Sequence, residues 1–249
     1  MNSAPQGSEC AEFPLIRNVG IDGLLVSFGP SLSEPANRAA LAFRAALEAV
    51  DGIEETSTSL ISTYLRFDPL KVPHTDMQTR VEALLVTRDW TGADLPEGRR
   101  LFRIPTVYGT KLAPQLSEAA QVAGMSAEDA VSSLSQARVR VQTIGFAPGQ
   151  PYLGALPEAW DIPRQQALTP VVPLGALVVA IRQLVLFSVT TPTGWRHVGQ
   201  TAMRLFRPES DTPFVLRPGD EAIFDAVTPE ALERMKTDPD GGATWEALR

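Results

Sequence analysis

The chain is poor in the residues that build reactive centres. It holds one cysteine and two histidines in 249 residues. Cys10 alone cannot close an internal disulfide, so no oxidising compartment is implied. His74 and His197 cannot assemble a His-rich or Cys-rich metal site. No G-x-x-x-x-G-K-[ST] phosphate loop occurs, and no G-x-S-x-G nucleophile elbow. The longest purely aliphatic run, Ala176 to Ile181, falls far short of the roughly 20 residues a membrane-spanning helix needs. The opening MNSAPQGSEC lacks a basic and an apolar region, so no signal peptide and a cytoplasmic location are expected. Positive charge is scarce too: 22 Lys and Arg against 29 Asp and Glu give a net charge of −7. That balance disfavours nucleic acid, which needs a clustered basic face. The nearest cluster, Arg99, Arg100 and Arg103, reads as the solvated start of a strand. Near the end, DPDGG (Asp238 to Gly242) places its glycine at the wrong offset for a calcium loop.

Glycine and proline are what the chain has in plenty, with 18 and 21 copies. They concentrate between Gly145 and Thr201, where apolar runs fill every gap between them. Glycine supplies positive φ and close backbone approach, and proline fixes φ and refuses interior ladder positions. The stretch reads as the tight corners of a compact β structure. Upstream, Ile21–Phe28 and Thr58–Phe67 read as strands. Pro35–Val50 and Val72–Val86 read as helices, with Ala36, Ala40, Phe43, Leu47 and Val50 at helical spacing. Asp51-Gly52 is a helix stop. This order predicts a small α+β domain over 13–90 with its helices on one face. The Gly, Pro and charge of Thr91–Arg99 mark a boundary. A mainly β domain is expected over 98–227, and a helix and tail over 228–249. Its elements are a strand at Ile104–Tyr108 and helices at Pro114–Ala123 and Ala127–Gln136. Short strands follow at Val139–Ile144, Ala176–Ile181, Leu184–Val189, Trp195–Val198, Phe214–Leu216 and Glu221–Phe224. Short, punctuated strands suggest a barrel or closed sandwich.

The wording of these corners resembles one family, the B subunits of 5-oxoprolinase, also called the KipI or allophanate hydrolase subunit 1 family. The resemblance rests on GFAPGQPYLGALP (Gly145 to Pro157), Pro163-Arg164, Val172-Pro173 with Gly175, Gln183, then Pro192, Gly194, Trp195, Gly199 and Thr201. It extends to LRPGDEAIF (Leu216 to Phe224), IPTVYG (Ile104 to Gly109) and GLLVSFG (Gly23 to Gly29). Several positions depart from the family pattern. Gln150 stands for a phenylalanine, Leu168-Thr169 for a second Pro-Arg pair, and Ala176 for a serine. Leu184-Val185 follow Gln183 in place of Thr-Gly. Thr193 stands for a glycine, Gln200 for an arginine, Leu134 for a histidine and Gln115 for an aspartate. Polar groups are lost more than the glycine-proline frame, so the same fold with an altered pocket is expected.

The resemblance implies a cyclophilin-like closed barrel for the second domain. It implies a non-autonomous subunit of an ATP-dependent amidohydrolase acting on cyclic amides, opening 5-oxoproline or a related lactam beside the C subunit of 5-oxoprolinase or a similar partner. ATP would be the cofactor, bound with partner subunits. Two other roles follow from relatives: a regulator that inhibits a histidine kinase, or a carboxyltransferase-like half of a urea-carboxylase system.

Five residues are candidates for the substrate pocket. Arg164 can clamp a carboxylate with two hydrogen bonds, or fork to loop carbonyls. Gln183 can read a lactam through one donor and one acceptor, or serve as a polar edge-strand residue. Tyr152 and Trp195 can wall a pocket, or pack in a core. His197 shares a strand face with Trp195 and Gly199, and is either a pocket donor or a partly exposed strand histidine. Asp220, after Pro-Gly, reads as a turn residue.

Overall fold

The structure is a computed structural model describing residues 12–248. The first dozen residues, expected to be structureless, lie outside the described residues except for Glu12. The chain divides between Leu95 and Pro96 into two compact units.

The first unit contains β1 (Leu15–Val19), β2 (Gly23–Ser27), α1 (Glu34–Leu47), β3 (Ile53–Thr58), β4 (Ser62–Phe67) and α2 (His74–Leu85). Its antiparallel sheet has the order β1-β2-β4-β3. Ser33 starts α1 by accepting the Ala36 N–H at 3.3 Å, and Pro35 takes an early position that needs no hydrogen-bond donor. Ala36, Ala40, Phe43 and Leu47 form its buried stripe, which joins Leu24, Val26, Leu65, Phe67, Met77 and Val81 in one core. Two strands are not evident in the sequence pattern. LIRNV and IEETST lie at the two edges and are largely open to solvent, so they lack the apolar alternation of β2 and β4.

The second unit opens with β5 (Arg100–Arg103), β6 (Val107–Tyr108), α3 (Leu116–Val122) and α4 (Ala127–Gln136). Next come β7 (Val139–Ile144), β8 (Pro151–Gly154), β9 (Thr169–Val172), β10 (Ala176–Ala180) and β11 (Gln183–Leu186). It closes with β12 (Thr191–Thr193), β13 (Arg196–Gln200), β14 (Glu221–Ile223), α5 (Pro229–Met235) and β15 (Thr244–Ala247). Nine strands form one sheet in the order β15-β5-β14-β7-β8-β11-β10-β13-β6, and β9 and β12 form a separate ribbon. The expected C-terminal helix is present, but the tail beyond it returns as β15 and pairs with β5. The expected strand at Phe214–Leu216 is reduced to a bridge between Phe206 and Phe214. Pro208, Pro213 and Pro218 around it cannot donate to a ladder.

This sheet curls because one segment serves two places in it. Arg100–Arg103 pairs in parallel with β14, while Val107–Tyr108 pairs with β13 at the far edge. Between them, Ile104 and Thr106 donate to the carbonyls of Ile223 and Asp225 at 2.8 and 2.7 Å. Asp220 fixes this region and is more than a turn residue. It is fully buried and bridges Arg100 at 2.5 Å, and it also accepts the Arg100 and Arg217 N–H groups. Arg99 and Arg103 pair with Glu221 and Asp225. All three arginines of the basic cluster are thus neutralised by the strand beside them.

The central strands are apolar on both faces. Leu177, Val179, Leu184, Leu186 and Val198 face a core shared with Leu116, Ala120, Leu134 and Trp160. Val178, Ala180, Val185, Phe187 and Trp195 face the other way, with Val172 of the ribbon and Tyr152. A strand buried on both faces reads as a continuous apolar run, which is how ALVVA stands in the sequence. Among the described residues, no helix is long and apolar enough to cross a membrane.

Candidate functional site

A cavity of about 310 Å³ opens on this second face. Tyr152, Val185, Phe187 and Trp195 form its wall, Gln150 its floor, and Phe146 and Arg164 its lip. The β7–β8 loop sets the floor. Phe146 and Gly149 both take positive φ, and a Cβ on Gly149 would lie 2.9 Å from the Leu205 carbonyl oxygen. The turn directs Gln150 inward, where it is 1% exposed and its Oε1 accepts the Ser188 N–H at 3.4 Å.

Arg164 is held by its neighbours rather than by a carboxylate. The Pro163 carbonyl accepts Arg196 Nη1 at 2.6 Å, and Arg196 is itself paired with Glu118. Gln165 donates its backbone N–H to Gly194 O at 2.7 Å and its amide to Trp195 O at 3.0 Å. These bonds place the Arg164 guanidinium 5.2 Å from the Trp195 ring centroid. Trp195 meets Tyr152 edge-on, with centroids 6.3 Å apart and planes at 78°. Among the described residues Arg164 has no ion pair. A cation stacked on an indole, with its fork open to a cavity, is arranged to take a planar anion.

Tyr152, Arg164 and Trp195 therefore come together, while Gln183 and His197 do not join them. Gln183 is buried inside the sheet and donates to Gln142 Oε1 at 2.8 Å. It is neither on an edge strand nor in the cavity lining, because β11 lies between β8 and β10. His197 lines a second cavity of about 390 Å³ with Gln200, Thr201, Lys111, Pro114 and Lys236. It is buried, at 4% exposure, and desolvation holds its imidazole below the usual value. The Gly199 backbone and the Gln200 side chain partly offset that effect.

Sequence reasoning misses the amides that run between the two cavities. On the N-terminal side of Gly199, the edge of β13 is covered not by β6 but by Gln115 at His197, and Gln165 caps the Trp195 carbonyl just before the strand. Gln115 Oε1 accepts the His197 N–H at 2.9 Å, and the Gln115 N–H donates to the His197 carbonyl. Gln115 Nε2 reaches Gln165 Oε1 at 2.8 Å and Thr169 Oγ1 at 3.3 Å. A signal for this cluster is present in the sequence. Gln115 and Thr169 replace an acid and a base of the resembling pattern, and here they touch each other. Losing both charges together leaves no buried ion without its partner.

Among the described residues, each of the five α-helices carries a carboxylate in its first turn: Glu34, Asp76, Glu118, Glu128 with Asp129, and Glu230. These oppose a second anion at the helix N-terminus. The first cavity offers one arginine among aromatic walls.

Comparison with known proteins identifies the family. The family model "Carboxyltransferase domain, subdomain C and D" matches residues 14–216. The 5-oxoprolinase B subunit of Bacillus subtilis (strain 168) is 28% identical over 233 residues, 89% of this chain and 96% of that protein. Its namesake in Escherichia coli O157:H7 is 39% identical over 129 residues, 52% of this chain and 59% of that protein. Among solved structures, TTHA0988 superposes with a TM-score of 0.70 at 30% identity, covering 86% of this chain. The chain spans only 41% of TTHA0988. The Kluyveromyces lactis urea carboxylase matches in fold, with a TM-score of 0.73 at 19% identity over 94% of this chain and 24% of that one. The chain thus belongs to the family of carboxyltransferase C and D subdomains, and within it resembles the 5-oxoprolinase B subunits.

Proposed function

We propose that the chain is a non-autonomous subunit of a lactam-opening enzyme, and that the Arg164 cavity receives the carboxylate of 5-oxoproline or a related cyclic amide. The observation that carries this reading is the unpaired Arg164 guanidinium stacked on Trp195 at the cavity lip. The relatives named as 5-oxoprolinase B subunits support the class of reaction. In this reading Arg164 holds the carboxylate, and Trp195, Tyr152 and Phe187 exclude water from the ring. Gln150 offers an amide to the ring's far side. When bound, ATP supplies the driving force for opening a stable amide. The carboxylate in each helix's first turn favours a triphosphate held by partner subunits rather than by this chain.

The partner in this reading resembles the C subunit of 5-oxoprolinase. Phe146, Leu168 and Val171 are 73%, 64% and 70% exposed around the cavities, an apolar rim suited to a protein contact. The second unit, in the same reading, is a closed cyclophilin-like barrel, with Arg100–Tyr108 as the strand that seals it. A regulatory role of the histidine-kinase-inhibitor type would use the same rim. The test is reconstitution. The isolated chain, given ATP and 5-oxoproline, should release no phosphate above background. Co-expression with a C-subunit homologue should give a complex that survives gel filtration in high salt, since apolar burial is little screened. Turnover by the isolated chain, or a monomer that never co-elutes with that homologue, overturns the reading.

A further inference from the structure

The floor of the first cavity carries a donor that the protein itself leaves unused. Gln150 stands at the end of the β7–β8 turn, and its backbone is fixed on both sides. Its N–H donates to the Ala147 carbonyl and its carbonyl accepts the Gly145 N–H, each at 3.1 Å. Its side chain is buried, yet it lines the cavity. Oε1 accepts the Ser188 N–H at 3.4 Å, which leaves Nε2 as the end turned to the cavity. The two ends cannot exchange places, because the Ser188 N–H needs an acceptor. Among the described residues, Gln150 Nε2 has no hydrogen-bond partner, and solvent reaches it through the cavity.

Neighbouring polar groups are already committed. The Gln165 amide is held by the Trp195 carbonyl and by Gln115, and Thr193 Oγ1 accepts the Trp195 N–H at 3.1 Å. No carboxylate lines the cavity, and Val185, Phe187 and Trp195 make its wall apolar. The cavity thus has a cationic donor at its lip, Arg164, and a neutral donor at its floor, Gln150. Neither can accept a hydrogen bond from these ends. A ligand that enters displaces water from Nε2. One without an acceptor there leaves a buried donor unpaired, and that penalty discriminates more sharply than apolar fit. The phenylalanine of the family pattern, at this position, could make no such distinction.

We propose that Gln150 is the specificity-determining residue of this cavity, with Nε2 donating to a carbonyl oxygen at the end of the ligand opposite the carboxylate. The inference rests on the reading of Arg164 as the carboxylate clamp. It narrows the ligand to compounds that carry a carboxylate and a neutral acceptor on one apolar body. In a cyclic amide that acceptor is the ring carbonyl, the group that separates a lactam acid from a plain cyclic acid.

Calorimetry on the full chain tests this by comparing 5-oxoproline with cyclopentanecarboxylate, which keeps the five-membered ring and the carboxylate but lacks the amide. The native chain should bind 5-oxoproline about five- to tenfold tighter, as expected for one neutral hydrogen bond. Gln150→Met keeps the length of the side chain without its donor, and Gln150→Phe installs the residue of the family pattern. Whichever variant shows a native melting transition should bind the two acids alike, with cyclopentanecarboxylate held no more weakly than by the native chain. Arg164→Ala should weaken both acids by a similar factor. A merely structural Gln150 would instead give a common loss for both acids in its variants, and that result overturns the proposal. So does equal binding of the two acids by the native chain, or a preference that survives in a folded Gln150 variant. If the native chain binds neither acid, the Arg164 reading falls and this inference with it, so the two failures are told apart.

Discussion

The two faces of β10, β11 and β13 are built from the same apolar residue types, yet the Arg164 cavity opens on one of them. The face toward α3 and α4 is filled by Leu177, Leu184, Leu186, Val198 and Trp160, and its one indole N–H is satisfied by Ser133 at 3.0 Å. The opposite face is covered by the β9–β12 ribbon and loops, with α5 flanking the second cavity through Leu232 and Lys236. There the apolar cluster gives way to Arg164, Gln150, Gln165 and, on the far side of the ribbon, His197 and Gln200. A helix covers a sheet continuously with side chains of its own stripe. A two-stranded ribbon cannot, and the gaps it leaves are where polar groups reach the surface. In the proposed reading, stability and recognition are assigned to opposite faces of one sheet.

That division can be broken in three ways, each of different size. The largest effect belongs to the filled face. Trp160→Ala should cost about 3–5 kcal/mol of stability, the range for truncating a buried aromatic. Carboxylate affinity at the Arg164 cavity should be unchanged below the new melting temperature. Denaturant titration and calorimetry on the same sample decide it, and a parallel loss of affinity would show that the faces are not independent.

The next effect is the converse. Arg164→Ala should leave the denaturation midpoint within error, because the guanidinium makes no ion pair among the described residues. It should weaken 5-oxoproline binding roughly ten- to a hundredfold, the worth of about 1.5–3 kcal/mol for hydrogen bonds to a charged group. Unchanged affinity in the folded variant would return Arg164 to a structural role.

The smallest effect sharpens the comparison with pH. Burial depresses the His197 pKa below its usual value near 6.5. The unfolded chain therefore takes up the proton first as pH falls. His197 contributes its full stability above that usual value. The contribution declines as pH drops toward the lower folded value, then levels off. Replacing His197 with Asn should flatten this slope as pH falls through and below the usual value near 6.5, while the wild-type chain loses stability there. An identical slope in both proteins would place the titration elsewhere.

Much of this is legible in the sequence because local rules and tertiary demands agree. Ser126 and Asp129 announce α4, and the Ser126 hydroxyl does accept the Asp129 N–H at 3.0 Å. Tyr152, Arg164 and Trp195 can be grouped because corners rich in glycine and proline fold back on one another. Strand alternation puts His197 on the Trp195 face, but cannot show that Gln115 and Gln165 line the edge between them. Gln183 defeats sequence reasoning for a related reason. Its partner, Gln142, is 41 residues away across β8, and no local pattern encodes a cross-sheet amide pair. The edge strands β1, β3 and β15 escape detection because an exposed strand needs no apolar period. The expectation of helix and tail over 228–249 fails at β15 for the same reason.

The segment that lies at both ends of the curled sheet also sets a clock. Arg100 meets Asp220 across 120 residues of chain. A ribosome adding about 5–20 residues per second needs on the order of ten seconds to deliver that partner. During that interval Leu101 and Phe102 have left the ribosome without β14, the strand that will shelter them. Contacts so distant in sequence also carry a high loop-closure entropy, which slows folding further. The nascent second unit is thus a natural client for a holding chaperone, and synonymous changes that slow translation between residues 104 and 220 should lower soluble yield without altering the finished protein.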